Sequence, residues 1–379
     1  MKLRSITQVI IFFIRRGLFA VLLILNCEIS GQIIRDTSTV SLIRYGISNI
    51  YNYRFEEAER IKDSLAALYP DHPVINLYEG MMIYWKNFPL LPSSPDRSSF
   101  EAELNRCIEL TDNYFNPDPV NKTECLLMNL CARGLLLTFY ADNNISSEVT
   151  ALVRQTYRPL MNSFSLTSHS SDLFYFTGIY NYYREAYVKV HPVYKVVAFL
   201  FPPGNMKQGV EELERCSEES MVLQAESLFI LAWIRMHFEN DYLKSLPFCE
   251  KLIARYPDNT LYRSMYIKNL LLLKKYQEAE DYINRTAGNT KDSFHDALLH
   301  VFSGLIQEKK YNNYSLAKQQ FLTGIAALSA YEPYGNGFAA FAYFGLSRIA
   351  AREDDKQSKR YYHRKGMDLT DFKSLTFDD

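Results

Sequence analysis

Asp241-Tyr242-Leu243-Lys244-Ser245 opens an amphipathic stretch that stops at Arg255-Tyr256-Pro257-Asp258, and Lys275-Tyr276-Gln277-Glu278-Ala279 opens the same pattern again. Ser245 and Ala279 are the corresponding small residues, 34 positions apart. A fixed step of that size marks a helix–turn–helix unit that cannot bury its apolar face alone and has to stack on its neighbours. The stretch therefore predicts an all-α array, and the same step recurs outside it.

Upstream, Gly46 stands 12 residues before Ala58, and Ala58 stands 12 before Pro70. Small residues at such positions let two antiparallel helices approach closely, while the proline ends the second one and disfavours helical geometry at Tyr69. Ala58, Ile61, Leu65 and Leu68 are expected on one buried face of that helix. Gly80 follows Gly46 by another 34 residues. Its helix gives way to a proline-rich loop, Phe88-Pro89-Leu90-Leu91-Pro92-Ser93-Ser94-Pro95, before a second helix with Leu104, Cys107 and Ile108 in the core. A third pair spans residues 119–164, with Gly134 at the small position and Pro159 expected to kink or shorten the second helix. Downstream, Gly209, Ser245, Ala279 and Ala317 recur with steps of 36, 34 and 38, each followed four residues later by an apolar residue (Leu213, Cys249, Ile283, Phe321). Polar residues 355–369 read as a capping helix.

The most distinctive segment runs from Asp172 to Leu213. An aromatic helix, Gly178-Ile179-Tyr180-Asn181-Tyr182-Tyr183, is followed by His191-Pro192-Val193-Tyr194, and then by Phe201-Pro202-Pro203-Gly204-Asn205 ahead of Gly209-Val210-Glu211-Glu212-Leu213. With the 34-residue step, these features resemble the tetratricopeptide-repeat (TPR) family, and within it exported bacterial proteins of unassigned activity. A fainter likeness is to eukaryotic mitochondrial outer-membrane TPR proteins linked to inclusion-body clearance. The resemblance covers roughly residues 170–285; elsewhere it rests on repeat spacing. It implies a right-handed superhelical solenoid of about seven or eight antiparallel helix pairs and a general role in binding other proteins. It brings no site residues. Val193–Phe201 is too apolar for a surface loop and is expected to pack across the helix stack, and Asn205 to cap the helix that follows.

At the amino end, Lys2, Arg4, Arg15 and Arg16 precede the apolar run Gly17–Leu25, which has the length of a signal-peptide core and is too short to span a bilayer. Residues 1–31 read as a signal peptide cleaved after Gly31, with lipidation at Cys27 or an uncleaved anchor as alternatives; either would be the chain's route to membrane contact. An exported protein, periplasmic or outer-membrane-associated, is expected. Residues 32–206 then form irregular helix pairs, 207–370 a regular array with its cap, and 371–379 a frayed tail.

Composition agrees with a large helical core. Of 379 residues 47% are hydrophobic, and 15 Gly with 14 Pro are too few for a turn-rich β fold. Loss of the leader removes four basic residues and one acidic, taking the net charge from −1 to −4. With no Lys/Arg block there is no electrostatic case for nucleic acid. Cys107, Cys125, Cys131, Cys216 and Cys249 are odd in number and widely spaced, which reads as buried free thiols, with one disulfide among the first three as an alternative.

Catalytic, cofactor and metal constellations are not expected. His295 and His300 are five apart, whereas a zinc helix needs four and an intervening Glu. Paired carboxylates such as Glu56-Glu57 and Glu211-Glu212 read as solvated helix faces. The candidate binding surface is the stripe Tyr180, Tyr183 and Tyr187 with Arg184 beside it, for which plain helix packing is the competing reading. The function expected is a non-enzymatic protein- or peptide-binding scaffold or assembly factor of the cell envelope. A small-ligand or glycan-capture protein using an aromatic groove around Tyr183 is the alternative.

Overall fold

Asp36 shows how the helices begin: its carboxylate accepts the Ser38 N–H at 3.0 Å, satisfying a donor that the first turn leaves open. Asn205, Asp241, Asn259, Asp292, Asn313 and Asp355 do the same for later helices. The computed structural model describes residues 33–112, 119–190, 201–286, 292–370, 372 and 375–377. Among these it is all-α, with 16 α-helices packed as sequential pairs. The expected leader and all but the end of Val193–Phe201 lie outside the described residues.

The first pair is α1 (Thr37–Tyr51) and α2 (Phe55–Leu68), and the second is α3 (Val74–Lys86) and α4 (Arg97–Asp112). Next come α5 (Pro119–Asp142) with α6 (Ser146–Ser163), and α7 (Leu173–Val190) with α8 (Met206–Glu219). Then follow α9 (Gln224–His237) with α10 (Tyr242–Arg255), and α11 (Thr260–Leu272) with α12 (Tyr276–Thr286). The last are α13 (Ser293–Lys309) with α14 (Tyr314–Leu328), and α15 (Asn336–Arg352) with α16 (Lys356–Leu369). Odd-numbered helices are thus the first of each pair.

Wherever the connection inside a pair is short, it carries one residue with left-handed backbone: Tyr53, Asn144, Asn240, Lys274, Asn312 or Asp354, at φ between 52° and 60°. Such a residue turns the chain out of the first helix and frees it to start the second. The α3/α4 and α7/α8 connections, which are longer, are built differently.

The small positions fill their expected role at several contacts. A Cβ on Gly178 would lie 2.9 Å from the Gly209 carbonyl oxygen, and one on Gly209 2.7 Å from that of Gly178, so α7 and α8 touch backbone to backbone. Phe321 of α14 sits between Gly304 and Gly345, where a Cβ would come within 2.6 and 2.3 Å of its ring. Three expectations differ. Gly134 has nothing within 4 Å of its Cβ position, so it is not a contact point. Leu68 is 62% exposed, because the last turn of α2 leaves the core before Tyr69-Pro70. Pro159 lies inside α6 without shortening it, since the helix continues to Ser163.

A simple array has contacts only between neighbouring units. Here the first helices of distant pairs also meet. Tyr51 at the end of α1 packs edge-on against Trp85 of α3 at 5.2 Å and Tyr256 at 5.2 Å, and lies 6.0 Å from Tyr262 of α11. The Asn259 side-chain amide donates to the Tyr51 carbonyl at 3.0 Å, and Arg44 Nε donates to the Met221 carbonyl at 2.6 Å. Phe88, in the proline-rich loop, reaches Phe294 and Tyr334. That loop bridges to the carboxy-terminal pairs.

Candidate interaction face

The stripe on α7 is taken up largely by its own loop. Tyr180 Oη donates to the Pro202 carbonyl at 2.7 Å while its ring meets Phe164 edge-on. Arg184 pairs with Glu185 at 3.0 Å and donates to the Phe201 carbonyl at 3.3 Å. Glu185 in turn accepts the Gly204 N–H at 3.0 Å. Tyr180, Arg184 and Glu185 therefore hold the Phe201–Gly204 turn in place, delivering Asn205 to cap α8 through Gln208 N. Tyr183 points elsewhere, packing edge-on against Tyr182 and against Phe238 beyond α9, and burial raises its phenol pKa. Tyr187 is 46% exposed. The structure thus brings Tyr180 and Arg184 together at the turn and leaves Tyr183 with a second aromatic group.

That second group belongs to a seam formed by the odd-numbered helices. Its rings include Tyr51, Trp85, Phe229, Trp233 and Tyr262, linked by centroid distances of 5.2 to 6.2 Å. Edge-to-face and offset contacts of this kind add to the area the rings bury. Glu226 of α9 enters the seam and accepts a hydrogen bond from Tyr51 Oη. Burial pushes its carboxyl up to about 7, and its Oε2 finds no hydrogen-bond partner among the described residues. Asn269 of α11, fully buried, has neither amide atom paired among them. Buried polar atoms are normally satisfied, so a concentration of such atoms on first helices is unusual.

Further along the seam stands Lys268, 4% exposed. Its Nζ donates to His237 Nε2 at 2.9 Å, and His237 Nδ1 faces the Trp233 carbonyl at 3.0 Å, which places the imidazole proton on Nδ1. The amine also lies over the rings of Trp233, Phe338 and Phe341 at 5.2, 5.5 and 5.9 Å. Burial brings the Lys268 amine down to about 7, and burial with the neighbouring Lys268 holds His237 well below its usual range. A lysine so enclosed is rare without a carboxylate partner. Sequence reasoning passed it over. The available signal was Lys268-Asn269 standing inside the otherwise apolar run Met265–Leu273.

No protein-family model matches this sequence, and no curated protein matches it either. Among the described residues no group of three His, Cys, Asp or Glu side chains is arranged to hold a metal. His295 Nδ1 pairs with Ser264 Oγ at 2.9 Å and His300 with Gln320 at 2.7 Å, each serving helix packing. All five described cysteines are free, and burial pushes Cys107, Cys216 and Cys249 up to about 12, where a thiol is inert. A surface cavity of about 460 Å³ is lined by Thr167, His169, Phe174 and Arg215 among others, and one of about 400 Å³ by Glu250, Arg263 and Tyr282 among others. Neither includes the α7 stripe or the seam residues named above.

Proposed function

We propose that this chain is a non-enzymatic protein- or peptide-binding repeat protein, exported to the cell envelope and acting there as a scaffold or assembly factor. The finer reading of the helix pairs as a right-handed TPR superhelix belongs to the same proposal. It is supported by the 34-residue step and by the left-handed residue recurring inside six pairs. One observation carries the functional reading: the first helices pool their aromatic side chains along one seam, and non-helical chain, including Phe372, packs onto it. Where its rings stay partly exposed, as at Phe229 and Trp233, such a seam suits the capture of peptide segments without covalent chemistry.

Crosslinking in cells followed by mass spectrometry tests this. A reproducible protein partner, attached through residues of the odd-numbered helices, is the expected result. A melting temperature raised by oligosaccharides, with no protein crosslinked, would replace it with ligand capture around Tyr183.

A further inference from the structure

The last helix differs from the other second helices in its charge. α16 has five cations, Lys356, Lys359, Arg360, Arg364 and Lys365, against Asp368 alone. By contrast α8, of the same length, has Lys207 and Arg215 against five carboxylates, and the chain as a whole stands at −1. In the sequence the five cations are interrupted by polar and aromatic residues. The helix collects them: Lys356, Arg360 and Arg364 stand at i, i+4 and i+8, one line with steps of about 6 Å. Lys359 and Lys365 flank that line, and all five are exposed.

The opposite side of α16 is committed to the stack. A Cβ on Gly366 would come within 2.7 Å of the Phe344 ring, Tyr362 lies beside Tyr343, and Ser347 Oγ donates to the Lys359 carbonyl at 3.0 Å. Carboxylates at the entry to the helix have their own partners: Asp355 accepts the N–H groups of Gln357 and Ser358, and Glu353 pairs with Lys318 at 3.5 Å. The chain after α16 is expected to fray, yet its described residues turn back onto α9 and α15. Leu375 is 1% exposed, Phe372 meets His237, and Phe377 meets Phe341. The line of cations thus forms the outer face of the final helix pair.

The shape of that face says what it fits. The two cavities described above include no residue of α16, so they offer no concave seat for a shaped ligand beside these cations. Long, flexible cations on a convex helix match a flat layer of negative charge whose headgroups move to meet them. Tyr361, 46% exposed, stands beside the line with Lys365 6.0 Å from its ring centre, an amphipathic ring of the kind enriched at headgroup level. The inner side of α16 is used against α15, so the contact is electrostatic and reversible, without insertion. We propose that the outer face of α16 is a membrane-contact surface, which holds the chain against a bilayer bearing anionic phospholipid headgroups through Lys356, Arg360 and Arg364. This contact is separate from the aromatic seam and does not depend on the leader.

The test is sedimentation of the full chain with vesicles of phosphatidylcholine alone or mixed with one-third phosphatidylglycerol. The leader itself can partition into either vesicle, so the quantity read is the preference for the mixed one. Each cation near such a surface is worth about fivefold, so the wild type should prefer the mixed vesicles by at least about thirtyfold. The triple variant Lys356→Gln, Arg360→Gln, Arg364→Gln should lose at least about tenfold of that preference. Lys207→Gln, Lys244→Gln, Lys251→Gln changes the net charge equally at exposed sites elsewhere, and should stay within about twofold of the wild type because salt screens distant charges. All variants should unfold as cooperatively as the wild type; should the α16 triple not, its three single variants, each expected to lose about fivefold, decide the matter. No preference for phosphatidylglycerol in the wild type would overturn the inference, and so would equal losses in the two triple variants. Binding of heparin through the same three residues, without sedimentation on mixed vesicles, would assign the face to a soluble polyanion and overturn it too.

Discussion

The turn after α7 and the seam through α9 and α11 both gather aromatic and polar side chains, but they settle the polar groups in opposite ways. At the turn, Tyr180, Arg184 and Glu185 each find a backbone partner between Phe201 and Gly204. Close by, the fully buried Asp172 accepts the N–H groups of Met221, Val222 and Leu223 at 2.8 to 3.0 Å and so organises the entry to α9. Along the seam, Glu226 Oε2 and both amide atoms of the buried Asn269 have no partner among the described residues, and Lys268 is enclosed by three rings with an imidazole as its hydrogen-bond partner. The first arrangement stabilises a fold. The second leaves buried polar atoms without partners, which costs stability.

The strongest way to sharpen that contrast is Asp172→Ala. It leaves three buried N–H groups without their acceptor, so urea unfolding should show a loss of about 3 kcal/mol or more; a loss below about 1 kcal/mol would mean that α9 does not depend on this carboxylate. Lys268→Met should act in the opposite sense, stabilising by about 1–2 kcal/mol near neutral pH because a buried amine gives way to an apolar side chain of similar length. Its pH dependence follows from the depressed amine. Between about 7 and the ordinary 10.5 the unfolded chain binds the extra proton, so this lysine makes wild-type stability rise with pH across that window, and the variant should lose the rise. Destabilisation by Lys268→Met would show that the amine is well accommodated.

Glu226→Gln reports on the seam's acid. Because the folded carboxyl is raised from 4.5 to about 7, the folded chain holds the proton longer, so Glu226 contributes a fall in stability as pH rises from 4.5 to 7. The depressed His237 opposes this trend, so the comparison of variant with wild type is the measurement. The variant should gain on the wild type steadily across that window, and a pH-independent difference would refute the assignment. Smallest of all, Tyr180→Phe removes one half-exposed hydrogen bond to Pro202 and should cost about 1 kcal/mol or less. A larger loss in a chemical melt would mean that the turn, not the seam, is the more demanding site.

Much of the α7 turn was legible because its signals are local. Pro202-Pro203-Gly204 forces a bend whatever surrounds it, and Asn205 caps the next helix from three residues away. The helix pairs were legible for the same reason: Gly209, Ser245, Ala279 and Ala317 are spaced along one chain and each is buried in its own pair. The seam was not legible, since Tyr51 meets Glu226 and Tyr262 across about 175 and 211 positions of sequence. No periodicity reports which ring faces which. Tyr180 and Tyr183 share a helical stripe by spacing, yet neighbouring elements send one to a loop carbonyl and the other to Phe238.

Sequence alone determined that this chain is a stack of helix pairs, because apolar periodicity, capping residues and small positions act over distances shorter than one unit. Only the tertiary structure decided that distant first helices share an aromatic seam, that Lys268 is enclosed within it, and that Phe372 packs onto it. Those outcomes depend on how successive pairs are rotated against one another. That rotation is set by the summed packing of many side chains, and no single residue in the sequence encodes it.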